Sequence, residues 1–571
     1  MFRLATSRRV FIPAVAGVVA WYVLRVWYPV FARRRKLRRA IAQRQDRRQS
    51  GFELVATQLE ATPVEIRMRI RQLKLTEIAP SIQSGTFTAA DVLHAYQEVA
   101  LEAHQRTNCV CEFILEAEEW AKALDAADFD ENTKPLLGVP FSVKESHAVK
   151  GYDVTRGYAQ DLGKACADDA VFVKVLKDLG AIPFVRCNVP QTLLSYTCAN
   201  PIYGRTTHPL CDTRSPGGSS GGDAALLASS GALFAVGGDV GGSIRMPCHF
   251  CGVAGLKPSK SRVCQKGCFG SVPGRPLTCA SFGPMARHVA TLEMLMKHWV
   301  ESDDMRKADP YVPHVPWTPV KEGTKLRVVP ACQRAVRLAF EALSSQGHTM
   351  VPFKPPDVAL GFGLFLASAS VDGGRYIMDL VKNDIPEPDH SEFYALLNIP
   401  DWLRRPVVNH VMPTLFKRMY QAFRHLPRTS AELRKVYEQI ENYRRAWADY
   451  WQSLEIDALI CPANVSVAMP PLLPSKVPGG ACYTAIFNNL DYPAGVVPCT
   501  TVTKQDIRRC QEIYPETDRW YRLIKSVNST PDCEGLPVGV QCVALPYHEE
   551  MCLYAMQQIE DALETSAKQL Y

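Results

Sequence analysis

The 571-residue chain has no internal repeat, no long Gly/Ser or Pro linker and, beyond its first fifty residues, no low-complexity tract. Those absences leave one large domain with an N-terminal appendage, although the length alone would allow several domains. An excess of one charge is also missing from the body. Lys and Arg number 65 against 58 Asp and Glu, a net +7, and much of the surplus is packed into residues 33–48, RRRKLRRAIAQRQDRR, where Asp46 is the single acid. The remainder is close to neutral, which excludes a nucleic-acid-binding body and leaves the basic run as a membrane-flanking segment. Paired cysteine spacings are scarce too. The nineteen cysteines are scattered through a large apolar chain, unlike a secreted disulfide scaffold. Cys248-His249-Phe250-Cys251, with Cys264 and Cys268 downstream, sits in an apolar run, so buried thiols are expected there rather than zinc.

Charge is nearly absent from residues 10–32, VFIPAVAGVVAWYVLRVWYPVFA, whose one ionised side chain is Arg25. As a helix this stretch spans ~34 Å, enough to cross a hydrocarbon core of ~30 Å. Trp21, Tyr22, Trp27 and Tyr28 suit an interfacial belt, and Arg25 is close enough to the end to snorkel. A cleavable signal peptide fits less well, because the apolar run continues past Ala14-Val-Ala16 into the basic cluster. The sequence therefore predicts an uncleaved anchor over residues 1–32, a basic and helical region over 33–105, and a catalytic domain over 106–571. The denser positive cluster follows the anchor, which places the body on the cytosolic side of an endomembrane. The sequons at Asn464 and Asn528 then have no consequence.

Short apolar runs alternate with helical stretches. Thr88-Ala-Ala-Asp91 opens a helix as a capping box. Residues 136–146, 182–190, 454–463, 494–502 and 537–545 read as strands and 169–181 as a helix. This is an α/β pattern, a sheet covered on both faces. Residues 398–423 combine Trp402, Val407, Val411, Met412 and Phe416 with interspersed basic side chains. Pro406 and Pro413 are expected to divide the segment into two short helices, packed in the core or forming a membrane-contact hairpin.

The chemistry lies in two Gly/Ser loops, SPGGSSGGD (215–223) and GGDVGGSIRMP (237–247). No lysine follows the glycines as a nucleotide P-loop requires, and the dinucleotide order G-x-G-x-x-G is missing. Gly217-Gly-Ser-Ser-Gly221 does match the hydrolase pattern G-x-S-x-G, but that reading leaves the second loop unexplained. Acyl transfer uses both loops. It needs a nucleophile, a base and donors for an oxyanion. Ser243 follows Asp239-Val-Gly-Gly242, a turn able to aim successive N–H groups one way. Lys144, at the end of an apolar strand, serves as base if burial keeps it neutral, with Ser219 relaying the proton.

Lys144 in GVPFSVKE, the run SPGGSSGGD and the run GGDVGGSIRMPCHFCGVAGLKPS, in that order, resemble the amidase signature family over residues 106–545. The resemblance implies an amidase signature fold, a twisted mixed β-sheet flanked by helices. It implies Ser243 as acylated nucleophile, Ser219 as bridging serine after a cis peptide from Gly218, and Lys144 as base. Val240, Gly241, Gly242 and Ser243 would supply the oxyanion N–H groups, while Ser220 and Arg245 hold the loops. Within the family the anchor, NVPQTLLSYTCANPIYGRT (188–206), the 398–423 segment and CYTAIFNNLDYPAGVVP are most similar to the membrane-anchored fatty-acid amide hydrolases. That likeness implies hydrolysis of acyl ethanolamides and primary fatty amides, a homodimer, a membrane and a lipid amide as partners, and neither cofactor nor metal. An amidase of small soluble amides and a catalytically impaired, anchored binding protein are the rival readings. Three departures accompany the resemblance. Gly238 stands where relatives carry threonine, Asp223 replaces a glutamate, and a short segment is missing where Val329-Pro330 runs directly into Ala331.

Overall fold

The computed structural model describes residues 21, 25, 28–127, 133–278, 280–330, 334–415 and 417–569. Among the described residues thirteen strands follow one another: β1 (Val110–Phe113), β2 (Pro140–Lys144), β3 (Ile182–Cys187), β4 (Ala199–Asn200), β5 (Gly204–Arg205), β6 (Phe234–Asp239), β7 (Ala254–Lys257), β8 (Ser281–Ala286), β9 (Arg327–Pro330), β10 (Thr349–Met350), β11 (Ala458–Pro462), β12 (Ala494–Thr501) and β13 (Pro537–Val543). Strands β4 and β5 form a small hairpin. The other eleven make one mixed sheet in the order β1-β3-β2-β6-β8-β7-β12-β13-β11-β9-β10. Strand β2 runs parallel to both β3 and β6, whereas β8 and β12 pair antiparallel to their neighbours. The central strands β2, β3, β6, β7 and β8 are buried along their whole lengths. That is why β2 and β3 carry mostly apolar residues on both faces rather than an alternating pattern.

Helices cover the sheet. Ala89–Thr107 begins as its sequence dictates: Asp91 N–H donates to Thr88 Oγ1 and Thr88 N–H to Asp91 Oδ2, both at 3.0 Å. Val171–Asp178 is the helix expected over 169–181, shortened where Leu179-Gly180 turns the chain into β3. The parallel pairing of β2 and β6 matters most for function. It brings the C-terminal ends of both strands to one edge of the sheet, so Lys144 and Asp239 lie side by side with the two Gly/Ser loops next to them.

Most of the sequence expected to cross a membrane, including residues 10–20, lies outside the described residues. Among those described, no helix is long and apolar enough to span a bilayer. The basic run that follows is helical, within Tyr28–Gln58, and part of it packs on the body of the protein. Arg44 is buried against Glu112 and Tyr203, and Arg48 donates to Asn108 Oδ1 at 2.8 Å and stacks on Phe52 and Tyr203.

Residues 398–423 differ from the expected split at the prolines. Asp401–Pro406 runs into a π-helical segment, Val407–Val411, and then Met412–Leu415, with Lys417–Phe423 beyond. Proline lacks the N–H that closes an ordinary turn, and the wider turn accommodates Pro406 in helical geometry instead of ending the helix there. Met412 is buried, but Trp402, Leu403, Val407 and Val411 are exposed, Trp402 to 75%. Phe416 and Ala331–Gln333, the far side of the apparent deletion, are outside the described residues.

Candidate active site

Lys144 ends β2 with its side chain buried. Its Nζ donates to Ser219 Oγ at 2.8 Å and to the Gly238 carbonyl at 3.3 Å. It makes no ion pair among the described residues. Loss of water around the ammonium lowers its pKa to about 8, although the Asp223 and Asp239 carboxylates pull the other way. Asp223 is buried as well and accepts from Ser142 Oγ at 2.7 Å; burial pushes its carboxyl up. Both members of this pair are thus driven toward their neutral forms.

The first Gly/Ser loop runs into the helix Gly221–Ala228, and the Gly218–Ser219 peptide is cis. A Cβ at Gly218 would lie 2.3 Å from the Thr197 carbonyl oxygen, so only glycine lets the loop press against the 195–197 backbone. Ser220 holds the two loops together through its backbone. Its N–H donates to the Ser243 carbonyl at 3.1 Å, while its buried Oγ has no partner. The Ser219–Ser220 turn thereby lies directly against the residue expected to be the nucleophile. Of the expected relay, the Lys144–Ser219 contact is present and a Ser219–Ser243 side-chain contact is not, among the described residues. Ser243 is half-buried, and its hydroxyl has no hydrogen-bond partner among the described residues. Such contacts tighten when substrate closes a site.

The second loop is organised by Asp239. Its carboxylate accepts Gly242 N–H at 2.7 Å, Ile244 N–H at 3.1 Å and a two-pronged contact from Arg245 at 3.0 and 2.8 Å. The guanidinium holds the Asp239 carboxyl well below the usual carboxylate range. This corrects the expected oxyanion set, because the Gly242 N–H is occupied by Asp239. The N–H groups of Val240, Gly241 and Ser243 have no acceptor among the described residues and remain the candidate donors. Gly242 still requires glycine. Its φ is +127°, and a Cβ there would sit 2.4 Å from Thr484 Oγ1.

Several residues of the site gave no signal in the sequence. Thr484 Oγ1 donates to the Gly241 carbonyl at 2.6 Å. Arg245 also donates to the Thr484 carbonyl, Asn488 Oδ1 and Gln541 Oε1 at 2.7–2.9 Å. The missing threonine at 238 is explained by Phe282, whose ring carbon would lie 2.8 Å from a Cβ at that position. The ring fills the space a side chain would need.

The cysteine-histidine run is structural. Cys248 and Cys251 are buried in the helix Arg245–Cys251, and His249 bridges Gly539 and Ser466. Among the described residues no cluster of His, Cys, Asp and Glu could hold a metal ion. Asn464 is buried, and Ser466 Oγ donates to Asn528 Oδ1 at 2.7 Å, so both sequons serve internal packing.

An apolar cavity of about 430 Å³ is lined by two of the elements that also pack against the Ser243 loop. Phe362 and Leu366 line it from one side, Cys482 and Tyr483 from another, and Trp520 and Tyr521 close it. Phe365, on the first of these elements, would lie 2.8 Å from a Cβ at Gly241, and Thr484 follows Tyr483 directly.

Residues 91–553 match the family model described as Amidase. The chain belongs to the amidase family. It is an amidase-signature hydrolase with the α/β fold of that family. Fatty acid amide hydrolase 1 of Caenorhabditis elegans is 39% identical over 570 residues, covering 96% of this chain and 98% of that protein. Fatty-acid amide hydrolase 1 of Sus scrofa is 34% identical over 562 residues, covering 96% and 94%. A solved structure of a fatty acid amide hydrolase superposes with a TM-score of 0.74 at 25% identity, covering 95% of this chain and 96% of that one.

Proposed function

We propose that this amidase hydrolyses fatty-acid amides, both acyl ethanolamides and primary fatty amides, to free fatty acid and amine. Ser243 Oγ attacks the acyl carbon. Its proton passes to Ser219 as the Ser219 proton passes to the neutral amine of Lys144. Val240, Gly241 and Ser243 N–H groups stabilise the oxyanion. As the tetrahedral species collapses, the proton returns by the same path to the departing amine, leaving an acyl-serine that water cleaves in a second round. The observation that carries this reading is a buried, ion-pair-free lysine 2.8 Å from the hydroxyl of Ser219, beside the Ser243 loop. A lysine in that state is a base; one at the surface is not.

The lipid character of the substrate is supported by the apolar cavity, by the names of the relatives and by the exposed ridge of Trp402, Leu403, Val407 and Val411. In this reading residues 1–32 anchor the chain in an endomembrane with the catalytic domain facing the cytosol. The 398–423 segment rests on the bilayer, the active unit is a homodimer, and the acyl chain enters from the lipid side. Labelling with a fluorophosphonate probe, followed by identification of the modified peptide, tests the assignment. The label is expected on Ser243, with long-chain acyl ethanolamide hydrolysis abolished in Ser243→Ala. Label on another serine, or undiminished turnover in that variant, rejects it.

A further inference from the structure

Two chains of charge lead from the N-terminal helix to the residue that follows Lys144. The first crosses the edge of the sheet. Arg44 Nη1 pairs with Glu112 Oε2 at 3.0 Å. Glu112 Oε1 receives Arg186 Nη1 at 2.7 Å, and Arg186 Nη2 donates to the Glu145 carbonyl at 2.5 Å. These residues sit on β1, β3 and the end of β2, three consecutive strands. Glu112 is the register partner of Arg186, which is the partner of Val143. The second chain runs through the loop after β2. Arg44 Nη2 also pairs with Asp153, which accepts Gly163 N–H at 2.8 Å. The same loop is closed by the buried Glu145 carboxylate, which accepts Thr155 N–H, Thr155 Oγ1 and Arg156 N–H at 2.6–2.9 Å. Both routes end on Glu145, and both begin on one guanidinium that is 9% exposed.

We propose that Arg44 of the Tyr28–Gln58 helix is a positioning residue for Lys144, holding the adjacent Glu145 from two directions: its carbonyl through Glu112–Arg186, and the loop its carboxylate closes through Asp153. The inference rests on the reading of Lys144 as the base. The physical reason is that the bonds on both routes are directional and involve charged groups, the second route being completed by the short loop backbone from Asp153 to Thr155, so the end of β2 has little freedom while all of them hold. Removing the guanidinium leaves buried Asp153 without its cation and Glu112 with Arg186 alone, which forces the pair to repack or take up water. The displacement reaches Lys144 through its own backbone. Leaving-group protonation is the step most sensitive to where the amine sits, so an amide suffers more than the matching ester.

The test uses the full chain and compares a primary fatty amide with the methyl ester of the same acid. Arg44→Met is expected to lower kcat for the amide about tenfold and for the ester about twofold, with KM within about twofold of the parent for both. Glu112→Gln should reproduce the selectivity, and Arg44→Lys, which keeps the charge but not the fork, should recover part of it. Melting temperatures identify any variant that does not fold; if Arg44→Met is one, Glu112→Gln and Arg44→Lys decide. Equal losses on amide and ester, or parental kcat, in the folded variants overturn the proposal. Lys144→Ala, measured alongside, separates the two levels. A selective amide loss there with no selectivity in the Arg44 and Glu112 variants removes only the role of Arg44. Equal losses in Lys144→Ala remove the base assignment and this inference with it.

Discussion

A lysine stripped of water releases its proton more readily, and the direction of that shift sets the pH dependence of the enzyme. In the proposed mechanism the free amine is the working form of Lys144, and burial lowers its pKa from 10.5 to about 8. Below that value most of the enzyme is protonated, and kcat/KM for an amide should rise about tenfold per pH unit before levelling off above it. A profile flat from pH 6 to 10 would show that no such group is needed. Lys144→Ala should remove the rise and cost more on amides than on esters. Arg245 and Asp239 are both fully buried, so Arg245→Met leaves an unpaired carboxylate and should cost about 3–5 kcal/mol by denaturant unfolding. A smaller loss would mean that water or Asn488 replaces the guanidinium. The placing of Lys144 beside the Ser219 and Ser243 loops was legible because glycine clusters and a strand-end lysine are local signals. Thr484, Asn488 and Gln541 were not, since ordinary polar residues some 240–300 positions away announce nothing until the chain is folded. The capture of Gly242 by Asp239 did have a local trace, an aspartate three residues ahead of a glycine in a turn, where its side chain can accept backbone N–H groups.

Elements with a clean pattern were readable almost to the residue. The capping box at Thr88 starts its helix where expected, and Thr88→Ala should cost about 1 kcal/mol in stability with kcat unchanged. The strands predicted over 494–502 and 537–545 appear as β12 and β13, trimmed at the ends where the ladder stops. The 398–423 segment was harder, because proline marks a missing donor without saying whether the chain breaks or widens its turn. Here it widens, and the four exposed apolar side chains ride on the resulting ridge. Introducing glutamate at Trp402 and Val407 in a variant lacking residues 1–27 should weaken its binding to anionic liposomes, read by flotation, while leaving hydrolysis of a short soluble amide intact. Undiminished flotation would assign the ridge to another partner.

At the scale of the molecule, an α/β class was legible but the strand order was not. An eleven-stranded mixed sheet depends on which antiparallel partners insert between β6 and β12, and no periodicity encodes that. Composition did foretell the state of the thiols: every cysteine described is free, and most are buried. A reducing agent should therefore leave the melting temperature unchanged, and a shift of several degrees would reveal a bond the fold does not show. The pins on the nucleophile loop carry a further consequence for biosynthesis. Thr484, Asn488 and Gln541 leave the ribosome more than two hundred residues after Ser243 has emerged. The nascent chain therefore cannot complete the contacts that hold the Ser243 loop until residue 541 has emerged.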